Sequence, residues 1–107
     1  MRRGDLVTIA LQGNFGKPRP ALVIQSDLFD VHPSVTILPV TSELRDTPLF
    51  RIGIEPDEKN GLRITSQVMV DKSQTVSRDK IGDVIGRVDG NTLLAVNRAL
   101  AVFLGFA

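Results

Sequence analysis

Six short apolar runs occupy the first 88 residues, and turn-forming residues interrupt each one before it reaches helix length. They are "DLVTIALQ" (5–12), "PALVIQS" (20–26), "VTILPV" (35–40), "LFRIGIE" (49–55), "ITSQVMVD" (64–71) and "IGDVIGRV" (81–88). Runs of this length, rich in β-branched residues, read as strands. The Gly, Pro, Asn and Asp clusters between them read as turns. Ala21 to Ile24 is continuously apolar, which predicts burial on both faces. Pro39 lacks a ladder donor, so its strand has an edge or ends in a bulge there. Phe50, Ile52 and Ile54 alternate, which leaves the other face to solvent. Asn60-Gly61 marks a tight turn. "DLFDVHPS" and "SRDK" each read as a single helical turn.

After Val88 the period changes. Asp89 or Asn91 can cap a helix that runs to Leu104, and Gly105 can stop it. In "TLLAVNRALAVFL" only Thr92, Asn97 and Arg98 are polar. Leu93, Val96, Leu100, Phe103 and Leu104 form one face, widened by Leu94, Ala95, Ala99 and Val102. A helix that only covers a core needs a narrower stripe. The excess predicts that this helix also meets something else, such as a second copy of the chain. The expected architecture is one domain over 1–107, mainly β and antiparallel, with a C-terminal α-helix. Barrel closure would remove its exposed strand edges.

Composition excludes several classes. A 42% hydrophobic and 23% charged chain is not disordered. Without cysteine there is no disulfide framework and no thiolate chemistry, which fits the cytoplasm. No run approaches the roughly 18 apolar residues of a membrane span. Asp5 and Thr8 break the apolar stretch at the N-terminus, so it makes a poor signal peptide. The net charge of +1 is too small for wholesale coating of nucleic acid. Residues 1–25 are more basic: Arg2, Arg3, Lys17 and Arg19 against Asp5 give 4 − 1 = +3.

His32 is the only histidine, and no His/Cys cluster or tight carboxylate set accompanies it. Neither a metal site nor a Ser-His-Asp triad follows from that pattern. What remains is polar residues at strand ends. Arg19 enters the second strand, Thr41-Ser42 leave the third, Ser66-Gln67 enter the fifth, and Asp71-Lys72 close it. If the second and third strands are antiparallel neighbours, Arg19 and Thr41 converge at one rim. A guanidinium and a hydroxyl together suit phosphate oxygens. Solvated strand ends would carry the same residues.

"RRGDLVTIAL", "GKPRPALVIQSD", "TILPVTSEL" and "SQVMVDKSQTV", in that order, resemble the MazF/PemK toxins of bacterial toxin–antitoxin pairs. The resemblance covers nearly the whole chain. It implies an SH3-like β-barrel with a C-terminal helix, and a homodimer. It implies a cognate antitoxin whose acidic tail covers the active groove, and an operator bound only through the antitoxin complex. It further implies cytoplasmic cleavage of single-stranded RNA without metal or cofactor, leaving a 2′,3′-cyclic phosphate and a 5′-hydroxyl. The family's essential arginine falls on Arg19 and its hydroxyl on Thr41, with Ser42 beside it. Ser66 matches a serine of many members, and Asp71 an acidic position near the scissile phosphate. Lys17 and Gln67 are expected to contact RNA, and Phe15 can stack a base. The chain has Asn14-Phe15-Gly16 and Met69 where some members have histidine and arginine, so the general base is unassigned. One alternative is the CcdB gyrase poisons, which share the fold and bind a protein without chemistry. "VIQSDLFD" and "VFLGFA" are similar to that group, although its tryptophan is absent. A non-toxic RNA-binding barrel is a third reading.

Overall fold

The structure is a computed structural model that describes residues 1–10 and 17–107. Seven strands and one helix follow in the order β1 (Asp5–Ile9), β2 (Arg19–Val23), β3 (Ser34–Thr41), β4 (Arg51–Ile54), β5 (Ser66–Met69), β6 (Gln74–Ser77), β7 (Ile81–Arg87) and α1 (Gly90–Leu104). All pairings are antiparallel, along the path β4-β5-β3-β2-β1-β7, with β6 beside β3. The expected short helical turns occur as 3-10 turns at Asp27–Phe29 and Arg78–Lys80.

Alternation sends side chains to two cores. Leu6, Leu22, Leu38, Val40 and Val68 face the larger one, which α1 covers with Val96 and Ala99. Val7, Ile9, Ala21, Val23, Val35 and Ile37 face a smaller one, flanked by Val76 and Ile81. Burial on both faces of the Ala21–Val23 centre is thus realised: all three residues are buried.

β3 organises the sheet. On one side it pairs β2 through Ile37, Leu38 and Pro39. On the other it pairs β6 from Ser34 to Ile37 and β5 at Val40 and Thr41. Pro39 therefore lies at the hand-over between two neighbours, where no ladder bond from its nitrogen is needed. It does not end the strand or place it at an edge, which corrects the sequence expectation. β6 also escaped the sequence reading. It continues the course of β5 after a 3-10 turn at Val70–Lys72, so the expected strand 64–71 is in fact shorter and broken.

The strand path does not close by pairing among the described residues. The turn before β5 spans the gap instead. The Arg87 N–H donates to the Lys59 carbonyl at 2.9 Å. Gly61, at φ 71°, sits so close to the Ile85 carbonyl that no Cβ would fit. The buried Asn60 holds this turn by donating to the Glu55 carbonyl and accepting from the Asp57 and Leu62 N–H groups.

Asp5, in the "RGD" stretch, is structural. Its carboxylate accepts from the Arg2 N–H at 2.7 Å and from Arg87 Nη1 at 2.8 Å. Arg3 ties β1 to α1 by donating to Asn97 Oδ1 at 2.6 Å. The helix starts at Asp89, whose carboxylate accepts the Thr92 N–H at 2.7 Å, and stops at left-handed Gly105. Its last turn extends beyond the core, so Phe103 and Leu104 are exposed rather than part of the covering face. Among the described residues no helix is long and apolar enough to cross a membrane.

The bonds from Thr92 hold the Asp89 carboxyl below its ordinary value. A depressed folded pKa stabilises above the unfolded value and loses that effect as pH falls through the folded one. Asp89→Ala should therefore lower Tm at pH 7, with the gap to wild type closing below about the ordinary value of 3.8. Thermal melts across pH check this; a gap that stayed constant down to pH 2 would show that the carboxylate's charge is irrelevant to the cap.

Candidate functional site

The β2–β3 register ends at Ala21 opposite Pro39. Pro20, next along β2, pairs Thr8 of β1 instead. Pro20 cannot donate the bond that its position would send to β3, and no β2–β3 pair follows Ala21–Pro39. Arg19 and Thr41 lie just beyond that last pair, on the two strands it joins, and both line one groove. Thr41 in turn pairs Gln67 of β5.

An open groove of about 1140 Å³ begins where that ladder ends. Its walls are Pro18–Pro20, the Pro39–Glu43 end of β3, the turn from Gly61 to Ile64, and Met69, Lys72 and Gln74. Arg19, Arg63 and Lys72 against Glu43 give it a local charge of 3 − 1 = +2. Among the described residues Arg19 makes no hydrogen bond or ion pair and is exposed. Its guanidinium is available for an anion.

The other candidates divide. The Thr41 hydroxyl accepts the Glu43 N–H at 3.0 Å, which fixes its oxygen and leaves its proton to donate outward. Ser42 is exposed on the groove wall. Ser66 lines the groove but is buried, with its hydroxyl donating to the Ile64 carbonyl at 3.0 Å. Lys17 is exposed just before the groove segment. Phe15 lies outside the described residues.

Gln67 does something the sequence did not suggest. Its Oε1 accepts the Arg45 N–H at 3.0 Å, and its Nε2 donates to the Arg45 carbonyl at 2.9 Å. Arg51 Nη1 adds bonds to the same Oε1 and to the Glu43 carbonyl. The amide is a clamp on the loop that follows Thr41 and does not line the groove. Asp71 is likewise turned away from the groove lining. Lys72 Nζ lies 2.8 Å from its carboxylate, and that hydrogen bond holds the carboxyl below the usual range. A depressed pKa makes it a weak proton acceptor. Arg2 and Arg3 do not line the groove, so the basic N-terminal quarter is split between two places.

Sequence reading missed Arg63, Met69 and Gln74 as groove residues and passed over Lys72 as a strand end. The cation beside Asp71 was a usable signal for Lys72. Arg63 sits in an ordinary polar turn and gave none. Among the described residues no group of three or more His, Cys, Asp or Glu could share an ion.

A basic groove at the rim of a small curled antiparallel sheet, backed by one helix, defines a mainly β domain with a positively charged rim. The family described as "PemK-like, MazF-like toxin of type II toxin-antitoxin system" matches residues 2–104, and the chain belongs to that family. It is 47% identical over 108 residues to the "probable endoribonuclease MazF" of Mycolicibacterium smegmatis, covering 100% of this chain and 99% of that one. A mycobacterial endoribonuclease solved with its cognate antitoxin superposes with a TM-score of 0.85 at 26% identity, over 100% of this chain and 97% of that one. A MazE–MazF structure from Deinococcus radiodurans shares the fold, with a TM-score of 0.78 at 23% identity over 100% and 98% of the two chains. These matches do not favour the gyrase-poison alternative.

Gln67→Ala should release the loop from Ser42 to Phe50. Loss of the clamp should cost about 1–3 kcal/mol, the range for orphaning partly buried partners. Denaturant unfolding and amide exchange at Arg45 check it. Unchanged protection of the Arg45 N–H would mean that the clamp does not hold the loop.

Proposed function

We propose that this chain is the toxin of a toxin–antitoxin pair and an endoribonuclease that cuts single-stranded RNA in the cytoplasm. The observation that carries the reading is one groove of charge +2 lined by both Arg19 and Thr41, just past the last β2–β3 pair. The 47% identical relative named as an endoribonuclease supports it.

The chemistry is transesterification. The 2′-oxygen attacks phosphorus and forms the P–O2′ bond while the P–O5′ bond breaks. The 2′-hydroxyl proton leaves to a base, and the departing 5′-oxygen takes up a proton. The products are a 2′,3′-cyclic phosphate and a 5′-hydroxyl. Arg19 stabilises the charge on the phosphorane, for which its fork of donors is suited. The Thr41 hydroxyl, fixed by Glu43, orients a phosphate oxygen. Pro18 and Pro20 limit the freedom of the segment carrying Arg19 and so lower the ordering cost of binding. Neither step assigned to these residues requires a metal ion. An acidic antitoxin tail fits the same positive groove, and the mycobacterial neighbour was solved with its own antitoxin.

Incubation with a long single-stranded RNA in EDTA, followed by end mapping, tests the class. Cuts bearing cyclic phosphate ends are expected; no cleavage, or cleavage only with an added divalent ion, would refute it. Arg19→Ala should lower the rate by about 10²–10³, the scale for losing one preorganised donor. Arg19→Lys should restore little, and Thr41→Ser should retain part of the rate. A folded Arg19→Ala protein cutting at the wild-type rate would remove this arginine from the mechanism.

A second copy is the proposed cover for the exposed apolar end of α1, where Val102, Phe103, Leu104 and Phe106 are all more than half exposed. Such a surface on a lone chain marks an interaction site. Sedimentation should show a dimer, and Phe103→Glu should shift it towards monomer. A wild-type protein that sediments as a monomer at micromolar concentration would count against this assembly.

A further inference from the structure

We propose that Lys72 is a phosphate-binding residue of the groove, and that Asp71 is its resting partner. The proposal rests on the reading of the groove as a site for single-stranded RNA.

The argument begins with register. Ile37 and Val40 are three residues apart on β3, yet their partners Gln74 and Val68 are six apart. Three extra residues are therefore inserted into the neighbouring strand, and they are the 3-10 turn Val70–Lys72. Insertions of this kind re-aim side chains near functional sites. Here Val70 enters the core, fully buried. Asp71 is folded against the sheet, its side chain 18% exposed. Lys72 emerges into the groove, its side chain 59% exposed.

The Lys72–Asp71 bond is short, at 2.8 Å, but one end is well solvated. Exposed ion pairs of this kind hold weakly. The lysine stem is flexible, and the ammonium binds as a point charge without a fixed orientation. It can swing from Asp71 to a phosphate oxygen. Asp71 is not then left uncompensated, because the Arg51 charge also acts on it. Arg51 itself stays in place through its bonds to the Glu43 carbonyl and Gln67. The other charges on the groove are Arg19, Arg63 and Glu43. Arg19 would thus grip one phosphate with a planar fork while Lys72 follows the strand's backbone from another wall.

The probe is a single-stranded oligonucleotide with 2′-deoxy sugars, which the protein cannot cut by 2′-attack. Its affinity is measured over a range of salt. For single strands each phosphate contact contributes about 0.7 to the slope of log K against log salt. Lys72→Gln should lower the slope by about that amount and weaken binding at low salt. Lys72→Arg should keep both. Asp71→Asn should bind more tightly with the slope unchanged, because no carboxylate competes for the ammonium. Thermal melts of each variant monitor the fold.

Wild-type slope and affinity in a folded Lys72→Gln protein would overturn the role of Lys72 while leaving the groove reading intact. So would equal loss of binding in folded Lys72→Gln and Lys72→Arg. A wild-type protein with no salt-dependent binding of the probe would instead overturn the RNA reading on which this inference rests.

Discussion

Two missing N–H groups shape the site. Pro20 ends the β2–β3 ladder, where it cannot donate to β3, and Pro39, in the last pair of that ladder, turns its nitrogen the other way, towards β5 and β6. A residue able to donate would favour continued pairing and carry Arg19 and Thr41 into the body of the sheet. Instead the pairing ends at Ala21–Pro39, and Arg19 and Thr41 stand at the opening beyond it. Pro39 is tolerated because β3 changes neighbours at that point, from β6 to β5. The missing donor of Pro20 thus falls at the end of one ladder, and that of Pro39 in the gap of another.

The charges around this opening do little for stability. Burying a leucine such as Leu22 or Leu38 contributes about 1.5–3 kcal/mol, whereas an exposed ion pair contributes about 0–1. The two cores are built from the former. The exposed Arg19, Lys72 and Arg63 could be neutralised with little loss to the core, so folding does not explain their convergence. Asp5 and Arg87 differ: their pair bridges β1 and β7 with Asp5 buried and Arg87 half-buried, and the Arg2 N–H bonds the same carboxylate. Position relative to the core separates these structural charges from the exposed ones at the groove.

The fold was largely legible in the sequence because periodicity reports burial directly. Six of the seven strands, the two short helical turns and the capped helix followed from alternation, β-branching and Gly or Asp punctuation. β6 did not, because "QTVS" is short, half polar and continuous with the preceding run. Its existence depends on pairing with β3. The site was legible only as a set of strand ends. Arg19 and Thr41 could be joined once β2 and β3 were taken as antiparallel neighbours. The Gln67 clamp could not be read, because its partner Arg45 is 22 residues away and bonds through its backbone, which every residue has. The orientation of Asp71 and Lys72 depends on a count of inserted residues that appears only when β3 is paired on that side.

The groove combines rigid and movable parts in a definite order. The Thr41 oxygen is pinned by the Glu43 N–H, the Glu43 carbonyl by Arg51, and Arg51 by Gln67, which also grips Arg45. Each link is within hydrogen-bond reach of the next, so the hydroxyl side of the site is held from β4 and β5. The cations are not held in this way: Arg19 and Arg63 are exposed, and Lys72 is tied only to a neighbour. Transition-state stabilisation benefits from donors fixed in advance, while binding a flexible strand tolerates charges that adjust to it. On the proposed function, a wall of fixed hydrogen bonds facing adjustable charges would accept a strand in varied postures and still present one phosphate to one hydroxyl.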